Sequence, residues 1–357
     1  MADLPKTMKA LVARAPGQYK IETVDVPRAG DDDIILKIEA CGICAGDAKA
    51  QHGASRFWGS ADQPGYVKAP FIPGHEFIGF IVEMGKNIKG FEIGDRVVSD
   101  QIIPCWECRF CKTGHYWMCQ KHDIYGFQSY NNGGMAEYIR LPKGSLNYKV
   151  PKDLPMESAI LIEPYACAKH AVDRAQVTPT DVVVQAGVGC LGLGMVGYLR
   201  MHNPAKLVVL DLKDDRLATA KEFGADVVIN PSKEDAVKAI MDMTDGYGCD
   251  IYIEATGHPA SVKQGMDMIR KLGRFVEFSV FGAETTLDWS IIGDVKELDL
   301  LGAHLSPYCF PPVIEWIANG KLPTKGVVSH VMKLDEWEKA FDLASSGVNA
   351  NRIVLVP

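Results

Sequence analysis

The sequence predicts an α/β protein with two parts, a β-rich domain and a doubly wound parallel sheet with helical crossovers. Three observations predict it. The chain has 357 residues, beyond the size at which one hydrophobic core keeps growing, so two domains are expected. The stretch before Val150-Pro151 reads as short strands cut by turns. After it, an apolar run enters a glycine-rich turn and a helix, and strand and helix then alternate.

Met8–Ala13, Tyr19–Val24 and Asp33–Ala40 read as strands, with Pro16-Gly17 and Arg28-Ala29-Gly30-Asp31 as turns. Gly42 and Gly46 bracket Cys44, which fits a tight bend presenting the thiol. Residues 51–70 hold Gly, Pro, Phe57, Trp58 and Tyr66 without a period. This reads as a long loop, expected to act as a lid, the alternative being an excursion packed on its own domain. Phe77–Val82 and Asp95–Ser99 read as strands, and Glu157–Ala175 as a helix broken at Pro164. The later strands are Asp181–Ala186, Lys206–Leu210, Asp226–Ile229, Asp250–Glu254, Arg274–Phe278 and Glu297–Ala303. Helices are expected from about Lys233, from about Ala260 and over Pro311–Asn319, then short strands near Val327 and Ile353–Val356. The expected boundaries are 1–156 with 309–357 for the first domain and 157–308 for the second.

Composition is that of a folding chain: 47% hydrophobic and 23% charged. A net charge of −7 argues against nucleic acid or an anionic membrane as main partner. No apolar run approaches the roughly 20 residues of a membrane span, and the start lacks the apolar core of a signal peptide. A cytoplasmic protein is expected. Ten cysteines are many for such a protein unless some bind metal.

Two cysteine patterns carry chemistry. Cys41-Gly-Ile-Cys44-Ala-Gly-Asp47 is followed at a distance by Pro73-Gly-His75-Glu76. One thiolate, one imidazole and two carboxylates suit a zinc ion, and such a site can keep a position open for substrate. Taken alone, these residues equally fit a buried cysteine and a satisfied core histidine. Cys105, Cys108, Cys111 and Cys119 are the denser pattern. Four thiolates close a tetrahedral shell, so an ion there would be structural. Disulfides or free thiols are the other readings, and disulfides fit poorly with a cytosolic chain. This lobe is expected over about 103–121.

The third motif is Gly187-Val-Gly189-Cys-Leu-Gly192, which follows a strand, opens a helix and precedes Asp211 by 19 positions. This is the dinucleotide fingerprint. Gly187 permits the tight turn, Gly189 lets the backbone approach the pyrophosphate, and Gly192 lets the helix pack on the strand. Ala255-Thr256-Gly257 and Ser279–Gly282 fall at the carboxyl ends of later strands, where ligands sit in such sheets.

Nearly end to end, the chain resembles the zinc-containing medium-chain dehydrogenase family. The resemblance rests on the Gly-Ile-Cys-x-x-Asp turn, Gly74-His75-Glu76, the four-cysteine lobe, the glycine fingerprint and the terminal strand. Ile162-Glu163-Pro164 resembles the sorbitol-type branch rather than relatives with a cysteine ligand there. Ile103 through Phe127, and Asp288-Trp-Ser-Ile-Ile through His304-Leu305, look closer to bacterial dehydrogenases of four-carbon polyols such as erythritol and threitol.

The resemblance implies a GroES-like β-rich catalytic domain and a Rossmann domain. It implies two zinc ions per chain, catalytic and structural, together with NAD. It implies a small polyol of four to six carbons, or its ketose, as substrate, and a homo-oligomer, dimer or tetramer. Cys44, His75 and Glu163 match the catalytic zinc ligands, Glu163 acting directly or through water, and Glu76 matches a nearby carboxylate. Asp47 matches a residue that bonds a ligand side chain. Leu191, Asp211 and Arg216 match cofactor positions, as do Thr256, Phe278, Ser279, Val280, Ala303, His304, Leu305 and Arg352. Asp211 favours NAD, since a carboxylate accepts from the ribose hydroxyls and repels a 2′-phosphate.

Two departures stand out. The family usually has Ser or Thr two residues after the cysteine ligand, and many alcohol dehydrogenases have a histidine five residues after it; here these are Gly46 and Lys49. Lys49, His52 or water on Glu163 is expected to replace the missing proton path. The rival readings are a zinc-free reductase, a simple alcohol dehydrogenase and a catalytically silent NAD-binding protein.

Overall fold

The structure, a computed structural model, describes residues 4–357. The chain forms two compact units. The first runs to Glu163 and adds Phe310–Asn319 and Val327–Pro357; the second comprises Pro164–Cys309 and Gly320–Gly326.

A seven-stranded sheet organises the first unit. Its order is Val328–Lys333, Arg352–Val356, Ile34–Gly42, Glu76–Met84, Arg96–Ser99 and Asn147–Lys149, with Tyr138–Leu141 also paired to Ile34–Gly42. Ile34, Ile35, Leu36 and Ile38 of Ile34–Gly42 and Ile78 and Ile81 of Glu76–Met84 are buried, each contributing about 1.5–3 kcal/mol by removal from water. Register matters for the chemistry. Gly42 lies opposite Glu76 on one side and Val354 on the other. Three distant segments thus bring Cys44, Glu76 and Arg352 to one end of the sheet. Arg96 is almost fully buried, bidentate to Glu39 at 2.7 and 3.0 Å, and it also donates to the carbonyls of Pro151 and Leu154.

The second unit holds a six-stranded parallel sheet. Its order is Val227–Ile229, Lys206–Leu210, Val182–Ala186, Cys249–Glu254, Ile269–Glu277 and Asp299–Gly302. The order reverses after Val182–Ala186, the switch point where ligands sit in such sheets. Its central strands are buried on both faces, which is why they read as continuous Val, Ile and Leu.

Several expectations are corrected. Cys44 caps a helix, Ala45–Gln51, rather than standing in a bare bend. The 51–70 stretch is packed on its own unit: Ser55–Trp58 is helical, Trp58 Nε1 donates to Ala50 O at 2.6 Å, and Tyr66 Oη donates to His122 O at 2.7 Å. Pro164 does not break a helix. The break precedes it, between Met156–Ala159 and Ile162–Ala175, leaving Pro164 in a first turn that needs no N–H. Ile269–Glu277 starts earlier than expected, and the helix Trp337–Ser346 was not anticipated. No helix of the described residues is long and apolar enough to cross a membrane.

Candidate metal and dinucleotide sites

Local sequence builds the first site. Cys44 is the N-cap of its helix in extended conformation, and its sulfur accepts from Gly46 N at 3.4 Å. Asp47 at the third helical position returns the bond, Oδ2 accepting from Cys44 N at 3.0 Å. Cys-x-x-Asp is thus a capping box with sulfur in place of a hydroxyl. His75 follows Gly74, whose φ of +97° and closeness to Cys41 Sγ leave no room for a side chain. Gly42 plays the same part for Glu76, because a Cβ there would lie 2.9 Å from Oε2.

Ligand atoms of Cys44, His75 and Glu76 lie within 4.8 Å of one another. Glu163 is outside that tight group, though it is buried and electrostatically coupled to His75 and Glu76. Arg352 Nη1 sits 2.7 Å from Glu76 Oε2 and donates to Ile43 O at 2.7 Å. The structure therefore places this arginine beside the candidate ligands. Asp47 Oδ1 and His75 Nδ1 face each other at 3.7 Å, and neither atom has a hydrogen-bond partner.

The protonation balance bears on what the site would hold. Burial pushes the Cys44 thiol well up, with Glu76 and Asp47 adding to it. Burial, then Glu76, raises the Glu163 carboxyl to about 8. Burial opposes the charged form of His75, but Asp47, Glu163 and Glu76 outweigh it and raise the ring. Cys44, Asp47 and Glu163, crowded in a dry place, retreat from ionisation. A divalent cation among them would reverse that, and the donor set of sulfur, imidazole and carboxylate suits zinc. The residues therefore fit the ion. Replacing Asp47 by Asn is expected to weaken metal retention about 10–100-fold by leaving the imidazole unsteered; competition with a chelator of known affinity measures it.

The other expected residues divide. Lys49 is half-buried on the same helix, its ammonium disfavoured by burial and partly supported by Cys44. His52, the C-terminal cap of that helix, is exposed, and its Nδ1 is engaged with Ala48 O at 2.7 Å. Sequence reasoning missed Phe127. Its ring lies 5.5 Å from His75 and stacks on Phe57 at 5.3 Å. A Cβ at Gly46 would stand 3.7 Å from both Cys44 Sγ and the Phe57 ring, so the absent side chain leaves a gap between them.

In the four-cysteine lobe the ligand sulfurs also lie within 4.8 Å of one another. Cys108 Sγ is 3.6 Å from Cys111 Sγ, and Cys105 Sγ is 4.0 Å from Cys111 Sγ. Zinc–sulfur bonds of about 2.3 Å at the tetrahedral angle set sulfurs roughly 3.8 Å apart. The cysteines are free rather than bridged. Backbone N–H groups of Cys108 and Gln120 donate to Cys105 Sγ and Cys108 Sγ at 3.3 and 3.4 Å, and amide donation brings the Cys108 thiol down to about 6. The lobe fits an ion as found. Tyr116 Oη ties it to the buried Asp100 at 3.0 Å.

The second unit carries the glycine turn. Gly187 has φ +94°, and a Cβ there would meet Ala255 O at 2.6 Å; one at Gly192 would meet Gly187 O at 2.2 Å. Gly189 is open except for Arg216 Nη1 at 3.7 Å, and it caps the helix Cys190–His202. That leaves an amide-lined approach for phosphate. Gln185, also missed from sequence, braces the turn by donating to Gly187 O and Gly192 O at 2.9 Å each. Asp211 stands where expected, accepting from Val188 N at 2.8 Å and Lys213 N at 2.9 Å. Leu191 and His304 are half-buried, Val280 is exposed, and Ala303 N bonds Glu277 O at 2.9 Å. Leu305 adopts φ +53°.

A cysteine–histidine–carboxylate cluster on a β-rich unit, with a glycine-fingerprint parallel sheet, defines a zinc-type dehydrogenase fold. The comparisons agree. The family model of the alcohol dehydrogenase GroES-like domain matches residues 30–152, and that of the zinc-binding dehydrogenase matches 190–319. Erythritol/L-threitol dehydrogenase of Mycolicibacterium smegmatis is 47% identical over 357 residues, covering 99% of both chains. Sorbitol dehydrogenase of Halalkalibacterium halodurans is 30% identical, covering 98% of this chain and 99% of its own. A solved zinc-binding dehydrogenase of Sinorhizobium meliloti, bound to NADP, superposes with TM-score 0.89 at 27% identity, covering 99% of this chain and 100% of its own. The chain belongs to the zinc-containing medium-chain alcohol and polyol dehydrogenase family.

Proposed function

We propose that this protein is a zinc-dependent, NAD-linked oxidoreductase that interconverts a secondary alcohol of a small polyol, erythritol- or threitol-like with four to six carbons, and the matching ketose. The convergence of Cys44, His75 and Glu76 within 4.8 Å carries the reading. The 47% identity to an erythritol/L-threitol dehydrogenase supports the substrate class.

Cys44 and His75 hold the catalytic ion, with Glu76 and Glu163 as the carboxylates beside it. Zinc would supply Lewis acidity, which lowers the pKa of bound water to about 7. NAD supplies the hydride acceptor. Asp47 orients the His75 ring. Arg352 holds Glu76 by charge, so that carboxylate would be shared between the arginine and a bound ion. Gly46 has no hydroxyl to take the alcohol proton. Lys49, whose neutral form burial favours, receives it instead and passes it to solvent. Phe57 and Phe127 line the gap over Gly46 and exclude water from the carbinol carbon.

In the second unit the Gly187–Gly192 turn and the following helix hold the pyrophosphate. Asp211 accepts from the adenosine ribose, which favours NAD over NADP even though Arg216 stands near. Thr256, Phe278–Val280 and Ala303–Leu305 serve the nicotinamide end. The second zinc belongs to Cys105, Cys108, Cys111 and Cys119. A cytoplasmic homo-oligomer completes the reading. Asp299–Gly302 is an edge strand whose Leu300 is 40% exposed, which gives a second copy a strand to pair with.

Initial rates of NAD and NADP reduction across two- to six-carbon alcohols and polyols test the proposal. Four-carbon polyols with NAD are expected to have the highest kcat/KM, by at least about tenfold over ethanol. Equal or better turnover of ethanol would contradict the substrate class.

A further inference from the structure

Glu254 lies at the carboxyl end of the central strand Cys249–Glu254 and is fully buried. Its Oε1 accepts from Thr256 N at 2.9 Å and also from the Thr256 hydroxyl. Gly257 N donates to Oε1 and Oε2, each at 3.2 Å. Every one of these contacts is a donor, the arrangement a carboxylate calls for. No ion pair among the described residues involves Glu254, and the groups that meet its carboxyl are neutral donors.

The turn it ties is a junction. Ala255 O stands 2.6 Å from where a Gly187 Cβ would be, and Thr256 Cγ2 3.1 Å. Glu254 O accepts from Phe278 N at 3.3 Å and from Ser279 Oγ at 3.4 Å. Gly257, at φ +69°, packs under Val280 O, 3.0 Å from its would-be Cβ. The carboxylate therefore fixes the 255–257 turn, and the backbone of that segment meets both the fingerprint turn and the loop after Ile269–Glu277.

We infer that Glu254 is a positioning residue for the nicotinamide cofactor, its side chain fixing the turn at which three ligand loops meet and its carboxylate favouring the oxidised, positively charged ring over the reduced one. The inference rests on the nicotinamide reading above. Its physical basis is that a charge in a dry interior acts over longer distances than one in water, and that removing one acceptor leaves buried donors unpaired.

Calorimetric titration of the full-length, metal-replete protein with NAD and with NADH tests it. Glu254→Gln keeps the shape, removes the charge and turns an NH₂ toward N–H donors. It is expected to raise Kd for NADH about tenfold, the 1.4 kcal/mol scale of a lost buried bond. It is expected to raise the NAD-to-NADH ratio of Kd values at least about threefold more. Glu254→Asp keeps the charge but falls short of the turn. It should raise both Kd values together with the ratio unchanged, and it serves also if the Gln variant does not fold. A merely structural role would lower Tm and leave both constants and their ratio as in the parent, which would overturn the inference. Failure of the parent to bind NADH would instead sink the nicotinamide reading.

Discussion

Cys44→Ser protein is expected to lose at least about 10³-fold in kcat, with metal content falling by one ion per chain. The reasoning is one of scale. Zinc lowers the pKa of bound water by about nine pH units, which at about 1.36 kcal/mol each is roughly 12 kcal/mol of differential stabilisation, so losing even a third of it comes to about that factor. Serine keeps the cap, since its hydroxyl also accepts from Gly46 N, and the helix Ala45–Gln51 should therefore persist. Steady-state rates, metal analysis and far-UV circular dichroism on one sample separate loss of ion from loss of fold. Parent-like kcat in the variant would remove Cys44 from the chemistry.

Cys119→Ala is the second large effect, and it falls on stability. Cys119 is 2% exposed and its sulfur accepts from Cys105 N at 3.3 Å. Structural zinc sites in small peptides are worth about 10–16 kcal/mol. The lobe has only a one-turn helix, Arg109–Lys112, and a short 3₁₀ turn, Tyr116–Met118, to hold it without an ion. Loss of the fourth sulfur is expected to release that ion, lower Tm by at least about 5 °C and open the lobe to protease, while the first site keeps its metal. Thermal unfolding with metal counting checks it. An unchanged Tm with one ion per chain missing would show that the lobe contributes no stability.

The second unit was legible in the sequence because buried parallel strands read as unbroken Val, Ile and Leu. The Gly187–Gly192 turn also has one physical reason for each glycine. The four-cysteine lobe was legible by spacing alone. The first site was legible only in part. His75 and Cys44 were found as donor types, but Phe127 was not, because nothing local marks a phenylalanine whose partners are an imidazole and a ring 70 residues back. Arg352 was read as a cofactor contact. Its place beside Glu76 depends on strand order, which no local pattern encodes. The helix Trp337–Ser346 was missed although its signal was present: Trp337, Ala340 and Phe341 follow helical spacing and are all buried. The 51–70 stretch is mostly loop as read, but its lid role gives way to the alternative of packing on its own domain. Its aromatic residues look unpatterned along the chain because they pack on neighbours elsewhere in the same unit, Trp58 on Phe71 and Tyr66 on Phe127.

The most direct measurement is turnover of erythritol and threitol with NAD before chelation, after chelation, and after return of one equivalent and then two equivalents of zinc. The account predicts two ions per chain in the parent, loss of activity when the Cys44–His75 ion leaves, and recovery on zinc addition. Full turnover by protein shown to contain no metal would contradict it.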